Sequence, residues 1–425
     1  MKSVLLIICL IELLAITNSC GQAKTVSIQK TARKVETVEN MVLVDKVDTI
    51  LFPVAENSVY LLKKDYDLKG KTYVMPQGVT IKINNGVFKN GTLIGQNTKI
   101  EGKQPVFDKV TIKGNWNVPE ISTKMFKNLN YDNSLRDVMA LTNEKINNKV
   151  KIHKGVYFFK LSKNQETGIY VRSNTSVDLE GELRLKPNSF TSYHIVELTG
   201  NNCSLTGSGV IVGDKMTHTG TSGEWGMGVE FSKAKNASIS GITIKDCWGD
   251  CIYVGDESKN VIIENCFLDN GRRQGISITS ADSVWIRDCV ISNVSGTNPQ
   301  YAIDVEPNKN KECTNIYINN VQSVNCVGGF VISGIAENSI VKGVHLSNCT
   351  VRGATQKYPI ALFMANDVTV ENCDVDSDSE YTVLIEKTTS VNALNNTFRA
   401  KGNKHFNKIQ SKGLNIDNNQ LVIKK

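Results

Sequence analysis

Eight segments in the C-terminal half of the chain repeat one pattern at nearly constant spacing. Successive segments start 23 to 32 residues apart, at Asn236, Asn260, Ser283, Asn315, Gly343, Asp367, Ser390 and Gly413. The fourth position of every segment is apolar or small, and the sixth is Asn in six of the eight. Repeats of this length, built from β-branched runs and polar turns, are typical of solenoids. No helical period runs through them, so we predict an all-β, right-handed parallel β-helix from about residue 168 to 420.

The repeat also predicts what stacks inside and outside the coils. Coils lie about 4.8 Å apart, so residues at one repeat position lie above each other. Asn tolerates the left-handed backbone of a tight turn, which predicts one corner column of Asn265, Asn320, Asn348 and Asn372. Five cysteines in or near the register are expected to be buried, unbridged thiols: Cys266, Cys289, Cys326, Cys349 and Cys373. Cys247 and Cys251 form either a disulfide or two separate coil positions.

The N-terminus predicts export. Lys2 precedes an apolar stretch over residues 4–16, and the sequence TNSC at residues 17–20 resembles a bacterial lipobox, in which the signal is cut before a Cys that is then lipidated. We therefore expect a signal peptide over 1–20, a lipid on Cys20 and a polar tether over 21–50. These features predict an outer-membrane lipoprotein of a bacterial cell envelope, with plain secretion as the alternative. The lipid is then the only expected contact with a membrane.

Charge restricts the partners. The formal net charge is +7, and no long basic run is present. Nucleic acid is therefore excluded as an expected partner, whereas an acidic polysaccharide or oligosaccharide is compatible with this charge.

Two regions precede the repeats. Short strands with Gly-Asn turns over residues 51–125 predict an N-terminal β-coil or capping region, followed by the β-helix domain over 126–425. Near the start of that domain, residues 131–149 predict a short amphipathic capping helix with Asp132 or Asn133 as its cap. Its apolar face consists of Leu135, Val138, Met139 and Ile146.

The sequence SLRDVMAL at residues 134–141, followed by KVKIHKGVY at 149–157, resembles the start of the β-helix in the pectate-lyase-like superfamily of single-stranded right-handed parallel β-helices. The resemblance covers roughly residues 130–400. It implies the fold but only a range of activities, since the superfamily includes polysaccharide lyases, glycoside hydrolases, uronate epimerases, phage tail spikes and non-catalytic adhesins.

A more distant resemblance concerns the polygalacturonase-type hydrolases. Trp248-Gly249-Asp250 matches only the Asp of their Asn-Thr-Asp motif, and Arg273-Gln274 stands where they carry Asp-Asp. Their Gly-His-Gly motif is absent. The hydrolase set is therefore incomplete.

Strand alternation predicts a functional face. Apolar residues alternate around Glu230, Tyr253, Ser277 and Asp304, so these four side chains are expected to face outward and to stack. The 32-residue step inserts extra residues around Asp304 and Glu306, and solenoid insertions concentrate on the binding face. The predicted catalytic residues are Asp250, Tyr253, Arg272, Arg273, Asp304 and Glu306. The predicted substrate-binding residues are Trp225, Trp248, Glu230, Gln274 and Gln300.

These residues favour a polysaccharide-cleaving enzyme, with a slight preference for a lyase acting on uronic acids. Arg272 or Arg273 would bind the substrate carboxylate or act as the base, and Tyr253 would donate the proton. If Ca²⁺ takes part, its ligands would be Asp250, Asp304 and Glu306. In the alternative, a glycoside hydrolase, Asp304 and Glu306 are the acid and base. A non-catalytic glycan-binding β-helix, with these charges forming a structural ion-pair ladder, is the third hypothesis, and a uronate epimerase is the least favoured.

Overall fold

The computed structural model describes residues 41–43, 56–102 and 104–424. These residues belong to one compact unit, Asn40–Lys425. The predicted signal peptide, Cys20 and most of the predicted tether lie outside the described residues. Within the described part of the chain, no helix is long and apolar enough to cross a membrane.

The described strands pair in parallel, and the chain winds through them as a right-handed solenoid. A seven-stranded sheet comes first: Met41–Leu43, Val59–Leu62, Tyr66–Asp67, Thr72–Val74, Thr80–Ile83, Phe88–Gly102 and Phe107–Trp116. The hydrophobic core continues without a break from this sheet into the later coils. The predicted all-β parallel β-helix is therefore confirmed.

Each later coil has three faces. Face A comprises Thr167–Val171, Ser192–Asn201, the first part of Trp225–Ser240, Ile252–Gly255, Ile276–Ile278, Tyr301–Val305, Gly328–Ser333, Ile360–Phe363, Val383–Glu386 and Phe406–Ile409. Face B comprises Glu120–Ser122, Asn148–Ile152, Thr175–Leu179, Ser204–Gly207, the end of Trp225–Ser240, Ser258–Glu264, Ala281–Arg287, Glu312–Asn319, Ile340–Ser347, Asn366–Glu371, Thr389–Leu394 and Lys412–Asp417. Face C comprises Val156–Phe159, Glu182–Leu185, Val210–Val212, Thr243–Lys245, Phe267–Asp269, Val290–Ser292, Gln322–Val324, Thr350–Ala354, Asp374–Ser377, Thr397–Ala400 and Gln420–Ile423.

Left-handed residues make the corners of the coil. The eight residues that begin the repeats bend the chain within or just before face B, with φ between 53° and 70°. Those at the sixth position, which end face B, have φ between 52° and 76°. The residues just before Asn265, Asp288, Asn320, Asn348 and Asn372 are register partners, so these corner residues stack as predicted. Asn and Gly recur at these positions because they tolerate this backbone conformation.

The cysteine column is interior. Cys266, Cys289, Cys326, Cys349 and Cys373 are all buried and unbridged, as predicted. Cys247 and Cys251 are also buried free thiols, so they occupy separate coil positions rather than forming a disulfide. The Sγ atoms of these buried cysteines contact backbone carbonyls of the coil; for example, Cys289 Sγ lies 3.9 Å from Ile263 O. The thiols thus fill the core as small apolar groups.

The capping helix is shorter than predicted. It spans Leu135–Met139 and follows Ser134, and a 3₁₀ turn spans Thr123–Met125. Asn133 lies outside the helix with φ 63°. Farther along, the side chain of Asn148 donates to the carbonyls of Asn143 and Ile146, both at 2.9 Å, and these bonds hold a turn in place of a second helical segment.

Candidate functional site

The parallel register of face A stacks polar side chains into an outer column. From the N-terminal side, its members are Glu197, Glu230, Tyr253, Ser277, Asp304 and Val331. The order from Glu230 to Asp304 is the one predicted from strand alternation. Glu306 follows Asp304 by two residues, beyond the end of the strand Tyr301–Val305. Asp250 and Gln274 precede the strands that carry Tyr253 and Ser277.

Asp304 is buried, with 2% of its surface exposed. Gln274 Nε2 donates to its Oδ2 at 2.6 Å, and the Gln274 amide is itself oriented because its Oε1 accepts from the Tyr301 backbone N–H at 2.7 Å. The other oxygen, Oδ1, is buried and accepts no hydrogen bond from any described residue. Burial, followed by repulsion from Glu306, raises the pKa of Asp304 well above its ordinary value, and Arg273 offsets only part of this. Burial and the nearby Glu306 carboxyl therefore favour the protonated form of Asp304.

Asp250 is fully buried and is held differently. Its Oδ2 accepts from Ser277 Oγ at 2.7 Å and from Arg273 Nη1 at 3.2 Å. Burial raises the pKa of Asp250 to about 6, although Arg273 and Ser277 both act to lower it. Asp250 is therefore mostly ionised at neutral pH, and it anchors Arg273.

Arg273 lies among four carboxyl groups. Burial lowers its pKa, but Asp250, Asp304, Glu224 and Glu306 outweigh burial, so the net shift is upward. Only 15% of its side chain is exposed, and its Nε lies 3.9 Å from Glu224 Oε2. Arg273 therefore stays positively charged, and its charge is largely balanced by the surrounding carboxyl groups.

Glu306 and Tyr253 complete this group. Glu306 is half-buried, and burial raises its pKa while Arg273 opposes the shift. The Tyr253 hydroxyl accepts from Thr279 Oγ1 at 2.6 Å, and burial raises the pKa of the phenol. The structure therefore brings five of the six residues predicted to be catalytic to one region of face A.

Arg272 is the predicted catalytic residue that the structure directs elsewhere. Its guanidinium lies 3.8 Å above the Trp248 ring, and its Nη1 donates to the carbonyl oxygens of Gly223 at 2.8 Å and Trp248 at 3.4 Å. The His218 ring stacks on Trp248 at a centroid distance of 3.9 Å. Two stacked groups at such distances must occupy opposite ring faces. Both faces of the Trp248 ring are therefore covered by groups of the protein, which argues against a sugar stacking on this ring.

The other predicted binding residues are separated by the structure. Trp225 is 50% exposed and offers an open ring. Gln300 shapes its own loop, because its Oε1 accepts from the Gly296 N–H at 2.7 Å and its Nε2 donates to Asn298 Oδ1 at 2.8 Å. Gln274 lies under Asp304 rather than at the surface.

Glu230 belongs to a second cluster that the sequence did not reveal. His194 Nε2 lies 2.5 Å from Glu230 Oε2, and His194 Nδ1 lies 3.8 Å from Glu197 Oε2. Both His194 and Glu197 belong to a coil that precedes the first aligned repeat at Asn236. Extending the outward column backward through Glu230 would have identified Glu197, since the two are register partners.

The three residues named as ligands in case Ca²⁺ takes part do not form a Ca²⁺ site in the described structure. A Ca²⁺ ion needs six to eight converging oxygen ligands. In the described part of the chain, His194, Glu197 and Glu230 are the only three His, Cys, Asp or Glu residues whose ligand atoms all lie within 4.8 Å of one another. The oxygens of Asp250, Asp304 and Glu306 do not converge in this way, and the Arg273 guanidinium supplies the positive charge at that point.

This fold and the acid-rich outer column define a right-handed parallel β-helix with a candidate site on one sheet face. The family model described as right handed beta helix region matches residues 156–334. Together with the solenoid, this match confirms the resemblance to the pectate-lyase-like superfamily.

Two proteins of Bacillus subtilis are similar to this chain in sequence over part of their length. The uncharacterized protein YclG of Bacillus subtilis is 28% identical over 210 residues, covering 43% of this chain and 36% of that protein. The SPbeta prophage-derived uncharacterized protein YorA of Bacillus subtilis is 27% identical over 162 residues, covering 33% of this chain and 28% of that protein. The match thus spans about a third of these relatives.

The tailspike protein of Escherichia coli bacteriophage HK620, solved in complex with a pentasaccharide, superposes with a TM-score of 0.52 and 14% identity. The superposition covers 69% of this chain and 63% of that chain. At this identity the likeness concerns the fold.

Proposed function

We propose that this protein binds a polysaccharide along face A and hydrolyses it, with Asp304 as the general acid and Glu306 as the general base. The observation that carries this proposal is Asp304 itself. Its pKa is raised by burial, and its Oδ1 has no hydrogen-bond partner in the described structure. A glycosidase acid must remain protonated near neutral pH, and the burial of Asp304 favours this form.

Each neighbour has a role in this proposal. Gln274 holds Asp304 Oδ2, so the proton resides on Oδ1. Glu306 is less buried than Asp304, so it ionises first and can activate water. Asp250 and Arg273 form a buried pair that keeps one positive charge between the carboxyl groups. The separation of Asp304 and Glu306 when substrate is bound would decide between inversion and retention.

The arginines argue against the lyase alternative. Removing a proton from a uronic acid requires the substrate carboxylate to be neutralised first. Arg272 is engaged by Trp248 and two backbone carbonyls, and Arg273 is paired with Asp250. Both guanidinium groups thus already have partners within the protein, whereas two carboxyl groups with raised pKa values suit hydrolysis.

A glycan is the substrate class that the fold supports. The HK620 tailspike, which shares this fold, was solved with a pentasaccharide bound. On this chain, the half-exposed ring of Trp225 offers a stacking surface for a sugar.

The test is an assay on a panel of neutral and acidic polysaccharides, following both reducing ends and the ultraviolet absorbance of an unsaturated product. New reducing ends without absorbance support hydrolysis, and absorbance identifies a lyase instead. Binding without either signal would overturn the enzymatic proposal in favour of a glycan-binding β-helix. When Asp304 is replaced by Asn in this assay, Asp282→Asn is the matched control. Asp282 is an aspartate on face B, where its carboxylate accepts hydrogen bonds from Thr314 and Asn315.

We also propose that the protein is exported and anchored through a lipid on Cys20, on the basis of the lipobox-like sequence at residues 17–20. Metabolic labelling with a fatty acid should mark the wild type and not Cys20→Ala. Equal labelling of both would exclude Cys20 as the anchor.

A further inference from the structure

His194, Glu197 and Glu230 lie on face A, on the N-terminal side of the proposed catalytic group. One nitrogen of His194 and one oxygen of each glutamate come within 4.8 Å of one another. The three residues project from two adjacent strands, Ser192–Asn201 and Trp225–Ser240, whose register pairs Glu197 with Glu230. The backbone thus supports the cluster from both sides.

We propose that His194, Glu197 and Glu230 bind a divalent transition-metal ion of the Zn²⁺ or Mn²⁺ type. One imidazole nitrogen and two carboxylate oxygens form a ligand set that Zn²⁺ and Mn²⁺ accept, whereas Ca²⁺ prefers oxygen alone. Three protein ligands leave a coordination position free for water or a substrate oxygen.

The buried Glu230 oxygen gives one reason for this site, because its only close partner in the described structure is the imidazole of the same cluster. Glu230 is 8% exposed, and its Oε2 accepts no hydrogen bond of acceptable geometry within the described part of the chain. It nevertheless lies 2.5 Å from His194 Nε2. His194 Nδ1 is likewise buried without a hydrogen-bond partner. Burying polar atoms in this way costs free energy unless something satisfies them.

The charges give a second reason. Neither Glu197 nor Glu230 forms a salt bridge with any Lys or Arg that the structure describes. Among the described residues, His194 is their only basic partner. A protonated His194 would leave the trio with a net charge of −1. A neutral imidazole, two carboxylates and a divalent ion sum to zero, which is the less costly arrangement for a mostly buried cluster.

The three ligand atoms would each need to shift by less than about 2 Å to surround an ion. Donor atoms around a Zn²⁺ ion at about 2.0–2.2 Å lie roughly 3.0–3.5 Å apart, so the His194–Glu230 contact would open by about 1 Å or less. Thr167 Oγ1 donates to Glu197 Oε2 at 3.3 Å and already orients that carboxylate. Such supporting bonds typically tune a metal site.

The experiment is calorimetric titration of EDTA-treated, tag-free protein with Zn²⁺, Mn²⁺ and Ca²⁺. We expect one equivalent of Zn²⁺ or Mn²⁺ to bind, and His194→Gln and Glu230→Gln to weaken binding by more than about tenfold. Thr167→Val, which removes only the orienting hydrogen bond, should weaken binding less. His345→Gln and Glu264→Gln, both on face B, should bind as the wild type does.

Thermal unfolding of each metal-free variant shows whether it is folded. If His194→Gln or Glu230→Gln does not fold, Thr167→Val still tests the site, because it removes only the hydrogen bond that orients Glu197. The proposal is overturned if the wild type takes up no stoichiometric Zn²⁺ or Mn²⁺. It is also overturned if folded His194→Gln and Glu230→Gln variants bind as tightly as the wild type. Because the readout is binding, the result does not depend on whether the protein hydrolyses a glycan.

Discussion

One column of face A changes chemistry within a single coil. On its N-terminal side it carries Glu230, Tyr253, Ser277 and Asp304, and on its C-terminal side the register continues with Val331, Ala361 and Leu384. The backbone is the same parallel β-strand throughout. The difference lies only in the side chains and in what covers them.

The apolar half is an ordinary satellite core. Val331, Ala361 and Leu384 pack under Tyr301, with Tyr358 and Phe363 at the margin. Covering apolar groups on the outside of a solenoid lowers the free energy of the folded chain. These coils show what face A looks like when it serves stability.

In the polar half, burial raises the free energy of the folded chain instead of lowering it. Asp250 and Asp304 are as buried as the apolar residues, yet each keeps one carboxylate oxygen without a hydrogen bond in the described structure. Leaving a buried oxygen without a hydrogen bond costs free energy. The contrast with the neighbouring apolar half supports the proposed role of these residues in binding or chemistry.

The largest expected effect concerns activity. Asp304→Asn and Glu306→Gln should each lower the rate of glycan cleavage by about 10²–10⁴-fold, because each removes a group that transfers a proton. Reducing-end assays on the substrate identified in the polysaccharide panel measure this loss, with Asp282→Asn as the control. Full activity in both variants would assign Asp304 and Glu306 to a structural ion-pair ladder and erase the contrast between the two halves of the column.

The next effect is on the pH dependence of stability. The pKa of Asp250 is raised from 3.8 to about 6 in the folded protein, so its neutral form is favoured by folding. Its contribution to stability is therefore present below about pH 4 and is lost as the pH rises through about 6. Between these two pH values the free energy of unfolding of the wild type should fall by on the order of 3 kcal/mol through this group. Asp250→Asn should not show this fall, because it has no carboxyl group to titrate.

Denaturant unfolding of the wild type and Asp250→Asn at several pH values measures this difference. Asp282 provides a control of opposite sign. Although burial raises its pKa, hydrogen bonds from Thr314 and Asn315 outweigh burial and lower it, so its contribution is present above its ordinary pKa and is lost as the pH falls. Parallel stability curves for the wild type and Asp250→Asn would show that burial does not perturb Asp250.

In the apolar half, Leu384→Ala should cost about 2 kcal/mol of unfolding free energy, the low end for a buried leucine because the cluster is small. Activity of the folded variant should be unchanged. Leu421→Ala is the matched control, since Leu421 is 51% exposed and should cost less than about 0.5 kcal/mol. If Leu384→Ala abolishes cleavage while remaining folded, the apolar half belongs to the substrate groove.

The smallest effect tests the corners that both halves share. Asn348 has φ 55°, so Asn348→Ala should lose about 1 kcal/mol of unfolding free energy because alanine resists the left-handed conformation. Asn348→Gly should change stability by only a few tenths of a kcal/mol. Equal losses in the two variants would mean that the amide side chain, rather than the backbone conformation, stabilises the corner.

Much of this architecture could be predicted from local sequence. The Asn and Gly corners recur because their backbone requirement belongs to single residues, and the cysteine column recurs because each coil repeats the same inward position. Alternation then predicted which side chains of face A point outward, including Asp304 and its vertical neighbours. The capping helix was predicted too long, since the turn held by Asn148 depends on its side-chain bonds rather than on apolar periodicity.

The sequence by itself determined the coil, its corners, its interior thiols and which strand residues point inward or outward, because these depend on short-range periodicity and on single-residue conformations. Tertiary structure decided the rest, because burial and charge pairing depend on segments far apart in the chain. It turned Arg273 toward Asp250 while stacking the adjacent Arg272 on Trp248. It also brought His194 and Glu197 to Glu230 from a coil that the repeat does not include.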